Sequence, residues 1–338
     1  MNNFQKNKEC KDVLVLGGTR YFGRSIVEEM LAAGHRVTIF TRGNLKSNFS
    51  SEVTHIIGDR MDFPLFRELF QDKYFDAVID NIGYLPAVME EALNVFKGNV
   101  GVYIYTSSIS SYCVDEFKPS LQRYHERDIL KEEDYKAVPG KLLDINSVET
   151  YCIGKNQCES RLMSNKSLPY VILRPPLVIG PDDHSRNLFF FMQRILDGGP
   201  VLLPKLAKQN LLHIYEKDLA KVYPKLLEKE SYWNESYNIA GNEVLTAEEY
   251  LGFIAKCLGK ELSITYLSQS ELDTISYIQP FEFNLISDTS KIKEKVGIDL
   301  TPFKLWMSKS VDWYMDEYDG PDSKGYDLRQ KEIELVNK

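Results

Sequence analysis

No two of the five cysteines (Cys10, Cys113, Cys152, Cys158 and Cys257) form a CxxC pair, and their number is odd. A disulfide framework or a thiolate zinc site is not indicated, and reduced thiols with no bound metal are expected. Long apolar runs are missing too. None approaches the roughly 20 residues of a membrane-spanning helix, and residues 1–11 lack the apolar centre of a signal peptide. Positive charge is in deficit, with 41 Lys and Arg against 49 Asp and Glu and a net charge of −8. Such a balance offers no basic face for phosphate backbones, which argues against a nucleic-acid partner. Internal repeats, low-complexity tracts and Gly/Ser-rich linkers are also absent, so any second domain has to be interwoven with the first. The expectation is a soluble cytoplasmic protein that acts on a small molecule. Its 338 residues suffice for one large or two smaller domains.

What the sequence does have begins at Asp12. The stretch DVLVLGGTRYFG sets four apolar residues, Val13–Leu16, before Gly17 and Gly18, with Gly23 five positions beyond Gly18. The apolar run suits a short strand buried on both faces of a parallel sheet. Phe22, Ile26, Val27, Met30 and Leu31 then recur at helical spacing up to Gly34. In this strand–turn–helix context, glycines let the backbone approach a pyrophosphate, and the helix N-terminus holds its charge. Dinucleotide binding is the reading that follows.

Further strands are expected at Arg36–Thr41, Val53–Ile57, Asp76–Asp80, Gly101–Tyr105 and Tyr170–Arg174, with a helix over Pro86–Phe96. Alternation of this kind predicts an α/β protein built on a doubly wound parallel sheet. A carboxylate after the second strand would favour NAD, but Arg42 stands there instead, so NADP is expected over NAD. Asp59 and Asn81-Ile82-Gly83 follow the third and fourth strands and fall at the sheet edge where ligands bind. A charged excursion covers residues 114–145. Asn146–Glu149 (NSVE) has the spacing of a capping box, opening a helix that places Tyr151 and Lys155 four apart on one face. Beyond Gly180, helices are expected over Leu188–Leu196, from near Asp218, from Thr246 through Leu258 and over Phe303–Met315. Strands are expected over Val201–Leu203, Leu211–Tyr215 and Glu261–Tyr266. Residues 12–180 would form mainly the dinucleotide-binding domain and 181–318 mainly a smaller, interwoven substrate domain. The charged tail, 319–338, would fray or lie on the surface.

Four motifs in order carry a resemblance: GGTRYFG, YTSSISSY (Tyr105–Tyr112), Tyr151-Cys-Ile-Gly-Lys155 and LRPPLVIGP (Leu173–Pro181). From about residue 12 to at least 220 the chain resembles the extended short-chain dehydrogenase/reductase family, which contains the NAD-dependent epimerases and dehydratases. GGTR and Thr41-Arg42-Gly43 look closest to an atypical branch that includes the chloroplast stem-loop RNA-binding proteins. The resemblance implies Tyr151 as general acid/base, Lys155 lowering its phenol pKa and holding the nicotinamide ribose, and Ser108 bonding the reacting oxygen. It implies cofactor contacts at Gly17, Gly18, Thr19, Arg20, Tyr21, Phe22, Gly23, Arg42, Asp59, Asn81, Ile82, Gly83, Lys155 and Pro175. A homodimer through Pro86–Phe96 and Tyr151–Leu162 is implied as well. Three departures matter: Arg20 replaces the middle glycine, Ser108-Ile109-Ser110 lacks the Asp-Glu pair of 4,6-dehydratases, and Leu177 stands where sugar-nucleotide enzymes often carry Asn. Arg20 beside the phosphates adds to the expectation of NADP. The implied activity is that of an NAD(P)-dependent oxidoreductase or epimerase at an oxygen-bearing carbon, first of a nucleotide sugar. An NADPH-dependent reductase of another keto or hydroxy metabolite comes second, and a non-catalytic nucleotide- or RNA-binding protein third; a 4,6-dehydratase ranks low. His184 and Arg186 are candidates for touching substrate, but surface residues of this kind are commonplace, so they are not counted as site residues.

Overall fold

The computed structural model describes residues 9–45, 49, 52–112, 123–126, 148–205, 210–275 and 285–337. Asn146 and Ser147 of the expected capping box, Cys113 and the excursion at 114–145, apart from 123–126, lie outside the described residues. The N-terminal half runs β1 (Asp12–Leu16), α1 (Tyr21–Ala32), β2 (Arg36–Thr41), β3 (Val53–Ile57), α2 (Phe63–Phe70), β4 (Phe75–Asp80), α3 (Pro86–Val95), β5 (Val100–Thr106), β6 (Arg123–Tyr124), α4 (Val148–Ser164) and β7 (Tyr170–Arg174). It continues with β8 (Leu177–Ile179), α5 (Asn187–Leu196), β9 (Val201–Pro204), β10 (Asn210–Tyr215), α6 (Glu216–Ala220), α7 (Val222–Leu226), β11 (Glu235–Asn238) and β12 (Val244–Thr246). The last elements are α8 (Ala247–Leu258), β13 (Ile264–Leu267), α9 (Gln269–Asp273), β14 (Ile286–Ser287), α10 (Ser290–Lys295), α11 (Phe303–Asp316) and α12 (Arg329–Val336).

Seven strands form one parallel sheet in the order β11-β7-β5-β4-β1-β2-β3. The order reverses beside β1, which pairs with β2 on one side and β4 on the other, so the switch point lies at the glycine turn. Successive residues of β1 feed opposite cores. Val13 and Val15 pack with Ile26, Val27 and Met30 of α1, whereas Leu14 and Leu16 pack with Phe66 and Phe70 of α2 and Met89 of α3. Burial on both faces is why the sequence of β1 reads as an unbroken apolar run. A third core joins α5, α8 and α11 over β9 and β10. α8 starts with the expected capping box: Glu249 N donates to Thr246 Oγ1 at 3.1 Å, and Thr246 N to Glu249 Oε2 at 2.8 Å.

One expectation meets a different arrangement. The charged tail does not fray. Arg194 and Glu332 form a buried ion pair at 2.5 Å, and Arg329 reaches Asp197 at 2.7 Å, so charges that read as surface residues fasten α12 to α5. The apolar residues of α3 and α4 lie inside: Met89, Ala92, Leu93, Cys158 and Leu162 belong to the core beneath the sheet, while Glu90 and Arg161 pair at 2.5 Å on the outer rim. No helix among the described residues is long and apolar enough to cross a membrane.

Candidate active site

The turn after β1 is held by backbone contact. Gly17 has φ 87°, and a Cβ there would meet Ile82 Cγ2 at 2.6 Å; one on Gly23 would meet the Gly17 carbonyl oxygen at 2.2 Å. Only glycine at both positions lets the first turn of α1 lie against the loop. A cavity of about 430 Å³ opens over this turn, lined by Gly17, Thr19, Arg20, Tyr21, Phe22 and Gly23, and further by Arg42, Asp59, Asn81 and Ile82. Gly18 and Gly83 are not on its wall. The space a Cβ would need at Gly18 is taken by Ile39 and Val27, and at Gly83 by Tyr105 and Asp80, so both glycines serve close packing under the site.

Beneath this cavity lies an ion pair that sequence reasoning missed. Arg60 grips Asp80 with both terminal nitrogens, Nη2 at 2.6 Å from Oδ2, and Tyr103 OH donates to the same carboxylate at 2.5 Å. Ile82 N donates to Asp80 Oδ1 at 3.0 Å, so the network also fixes the loop after β4. Burial alone would raise the Asp80 carboxyl; Arg60 and Tyr103 reverse that and hold it below the ordinary carboxylate range. The available signal was a carboxylate ending the apolar strand DAVID, which demands a partner once buried.

A second cavity, about 310 Å³, holds Ser108, Tyr151, Lys155 and Pro175. Lys155 is 2% exposed. Its ammonium donates to the Thr106 carbonyl at 2.8 Å and lies 4.6 Å from the Tyr84 ring centroid, 4.9 Å from Tyr105 and 5.9 Å from Tyr151. Burial pushes its pKa down to about 8. Ring faces and one carbonyl thus replace water around the charge.

The hydroxyls after β5 have separate partners. Thr106 Oγ1 donates to Asn81 Oδ1 at 2.6 Å, and Ser107 bonds Glu159. Ser108 Oγ interacts within its own turn, with Ser110 N and Oγ, both at 3.2 Å. Glu159 is clamped by Arg174, whose Nε lies 3.0 Å from each carboxylate oxygen and whose Nη2 lies 2.5 Å from Oε2. Arg174 Nη1 donates to Tyr112 OH at 2.8 Å, which donates in turn to Asn238 at 2.7 Å. Leu177, Leu211, Leu212 and His213 line the same cavity. The His213 imidazole is buried, stacks on Tyr250 at 4.8 Å and is pushed down to about 3 by burial.

The two cavities share Tyr21, Phe22, Asn81, Tyr84 and His184, so they adjoin at the C-terminal ends of the central strands. Of these, Tyr84 and His184 stand outside the residues the motifs nominate. Asn81 Nδ2 is buried at this junction with no hydrogen-bond partner among the described residues. A glycine cradle at a helix N-terminus, continuous with a buried unpaired amide, fits a dinucleotide.

A family model described as NAD dependent epimerase/dehydratase family matches residues 13–108 and 138–240. The chain is 27% identical over 277 residues to the chloroplast stem-loop binding protein of 41 kDa b of Arabidopsis thaliana, covering 78% of this chain and 68% of that protein. Among solved structures, the Bordetella bronchiseptica enzyme WbmH in complex with NAD+ superposes with a TM-score of 0.69 at 20% identity, covering 91% of this chain and 99% of that one. UDP-glucose 4-epimerase of Thermotoga maritima, solved with UDP-glucose, gives 0.69 at 17% identity, over 90% of this chain and 98% of that one.

These findings overturn the expectation of NADP. The matching family is NAD dependent, and WbmH and three further neighbours solved with a dinucleotide hold NAD. The physical reason lies at the rim of the larger cavity. Arg20 and Arg42 are exposed there, and the carboxylate of Asp59 shares the same wall, so a 2′-phosphate would meet negative as well as positive charge.

Proposed function

The chain belongs to the NAD dependent epimerase/dehydratase family, and from that premise we propose that it is an NAD-using oxidoreductase or epimerase whose substrate is a nucleotide sugar. NAD, when bound, supplies the hydride acceptor and donor for a carbon that bears oxygen. Tyr151 moves the proton on that oxygen, and Ser108 hydrogen-bonds it. An unperturbed phenol titrates near ~10, too high for a base at neutral pH. The buried ammonium of Lys155, 5.9 Å from the Tyr151 ring centroid, favours the phenolate. Thr106 fixes Lys155 through its carbonyl and Asn81 through its hydroxyl. The observation that carries this reading is a buried cationic side chain among three tyrosine rings, in a cavity that adjoins the glycine-lined one. The UDP-glucose in the Thermotoga maritima neighbour supports the substrate class.

The test incubates purified protein with NAD+ and a panel of UDP- and dTDP-sugars, resolving epimers by chromatography and following NADH absorbance. Tyr151→Phe is expected to lose at least about 100-fold in turnover; equal activity in variant and wild type removes Tyr151 from the mechanism. A second reading, a stem-loop RNA-binding protein in the atypical branch, is supported by the likeness to the Arabidopsis thaliana protein. Salt-dependent RNA binding that survives Tyr151→Phe, with no turnover on any sugar, would favour it.

A further inference from the structure

Asp182 and Arg186, neither of them glycine, sit in the left-handed region with φ of 59° and 56°. L-residues adopt it reluctantly, and such conformations persist where the surroundings over-determine them. Between the two, the buried Asp183 carboxylate accepts hydrogen bonds from Ser185 N at 2.9 Å, from Ser185 Oγ and from Asn187 N at 3.3 Å. Tyr314 of α11 donates to the Asp183 carbonyl at 3.2 Å. Asp183 and Asn187 therefore hold the loop. What the loop presents is His184, which is exposed, meets the Tyr21 ring edge-on at 6.1 Å and lines both cavities. Tyr21 itself has φ 52°, so the ring on the opposite side of the junction is also set by a left-handed residue. The His184 imidazole makes no hydrogen bond to any of the described residues, and one of its nitrogens donates while the other can accept.

We propose that His184 is a binding residue for the dinucleotide, hydrogen-bonding the oxygen-rich stretch, pyrophosphate or adjoining ribose, that passes from the larger cavity into the smaller. The proposal rests on the NAD reading above. A strained loop built from buried contacts thus sets an exposed imidazole, whose only ring contact among the described residues is with Tyr21, where both cavities meet. Asp59, the adenine contact that the family resemblance implies, lies on the wall of the larger cavity alone, so a ligand that fills only that end should not sense His184.

The experiment measures binding of NAD+, ADP-ribose and AMP by titration calorimetry to wild type, His184→Ala and His184→Gln, with thermal denaturation alongside. His184→Ala should weaken NAD+ and ADP-ribose by about 5–10-fold, leave AMP within twofold and leave the melting temperature unchanged. His184→Gln, which keeps a donor and an acceptor, should recover part of the loss. NAD+ and ADP-ribose affinities within twofold of wild type in His184→Ala, or an equal loss for AMP, would overturn the proposal while leaving the NAD reading intact. Failure of the wild type to bind NAD+ would overturn both.

Discussion

Replacing Arg174 with Leu should cost the folded protein about 3–5 kcal/mol, the range for stranding one partner of a buried ion pair. Arg174 and Glu159 each have 0% side-chain exposure. Burial works against the Arg174 charge, but Glu159 and Tyr112 outweigh it and hold the guanidinium pKa above its ordinary value. In the single variant Glu159 keeps only the Ser107 hydroxyl in place of the three Arg174 contacts. The double variant Glu159→Leu/Arg174→Leu removes both charges and leaves the Ser107 and Tyr112 hydroxyls each short of a partner. At about 1 kcal/mol per lost hydrogen bond it should be more stable than either single variant. The assay is urea denaturation followed by tryptophan fluorescence, read as a double-mutant cycle. A single variant within about 1 kcal/mol of wild type, or a double variant less stable than both singles, would refute the assignment of a buried, mutually dependent pair.

Two predictions concern titration. The Lys155 ammonium of the cofactor-free protein should titrate near pH 8 rather than 10.5, read from its side-chain nitrogen resonance. Its folded pKa lies below its unfolded one, so stability from this group rises with pH between about 8 and 10.5, while loss of the charge removes its support of the phenolate. A resonance that titrates at the ordinary lysine value would contradict the burial described for Lys155. Glu216, buried and bonded to Ser25, is pushed up to about 7 from 4.5 by burial. Here the unfolded chain releases its proton first, so stability falls as pH rises from about 4.5 to 7. Glu216→Gln should flatten that part of the stability profile and raise stability at pH 8; an unchanged profile would show that Glu216 is not the group responsible.

Much of the fold was legible because its signals are local. β2, β3 and β7 have the boundaries the sequence suggests, since β-branched and apolar residues ended by turn residues mark a strand locally, whether it is buried like β7 or lies at the sheet edge like β3. The polar strand β11, with the sequence Glu-Ser-Tyr-Asn, carries no such signal and exists through its pairing with β7. The same contrast divides the site. Gly17, Tyr151 and Lys155 stand in motifs with fixed spacing, whereas Tyr84 and His184 stand in none and are brought to the junction by chain segments about 100 residues apart. Arg42 shows how a local rule can mislead: a missing carboxylate after β2 implied NADP, but Asp59 reaches the same cavity wall from the end of β3.

By itself the sequence determined the alternation of strands and helices, the glycine turn and the face of α4 that carries Tyr151 and Lys155, because periodicity and glycine content act over a few residues. Tertiary structure decided which charges became internal. Arg60 with Asp80, Glu159 with Arg174 and Arg194 with Glu332 are internal pairs that no motif joins. Each charge is tolerable inside only because the packing of the chain delivers its opposite within hydrogen-bond reach, and that pairing is a property of three-dimensional proximity that no local pattern encodes.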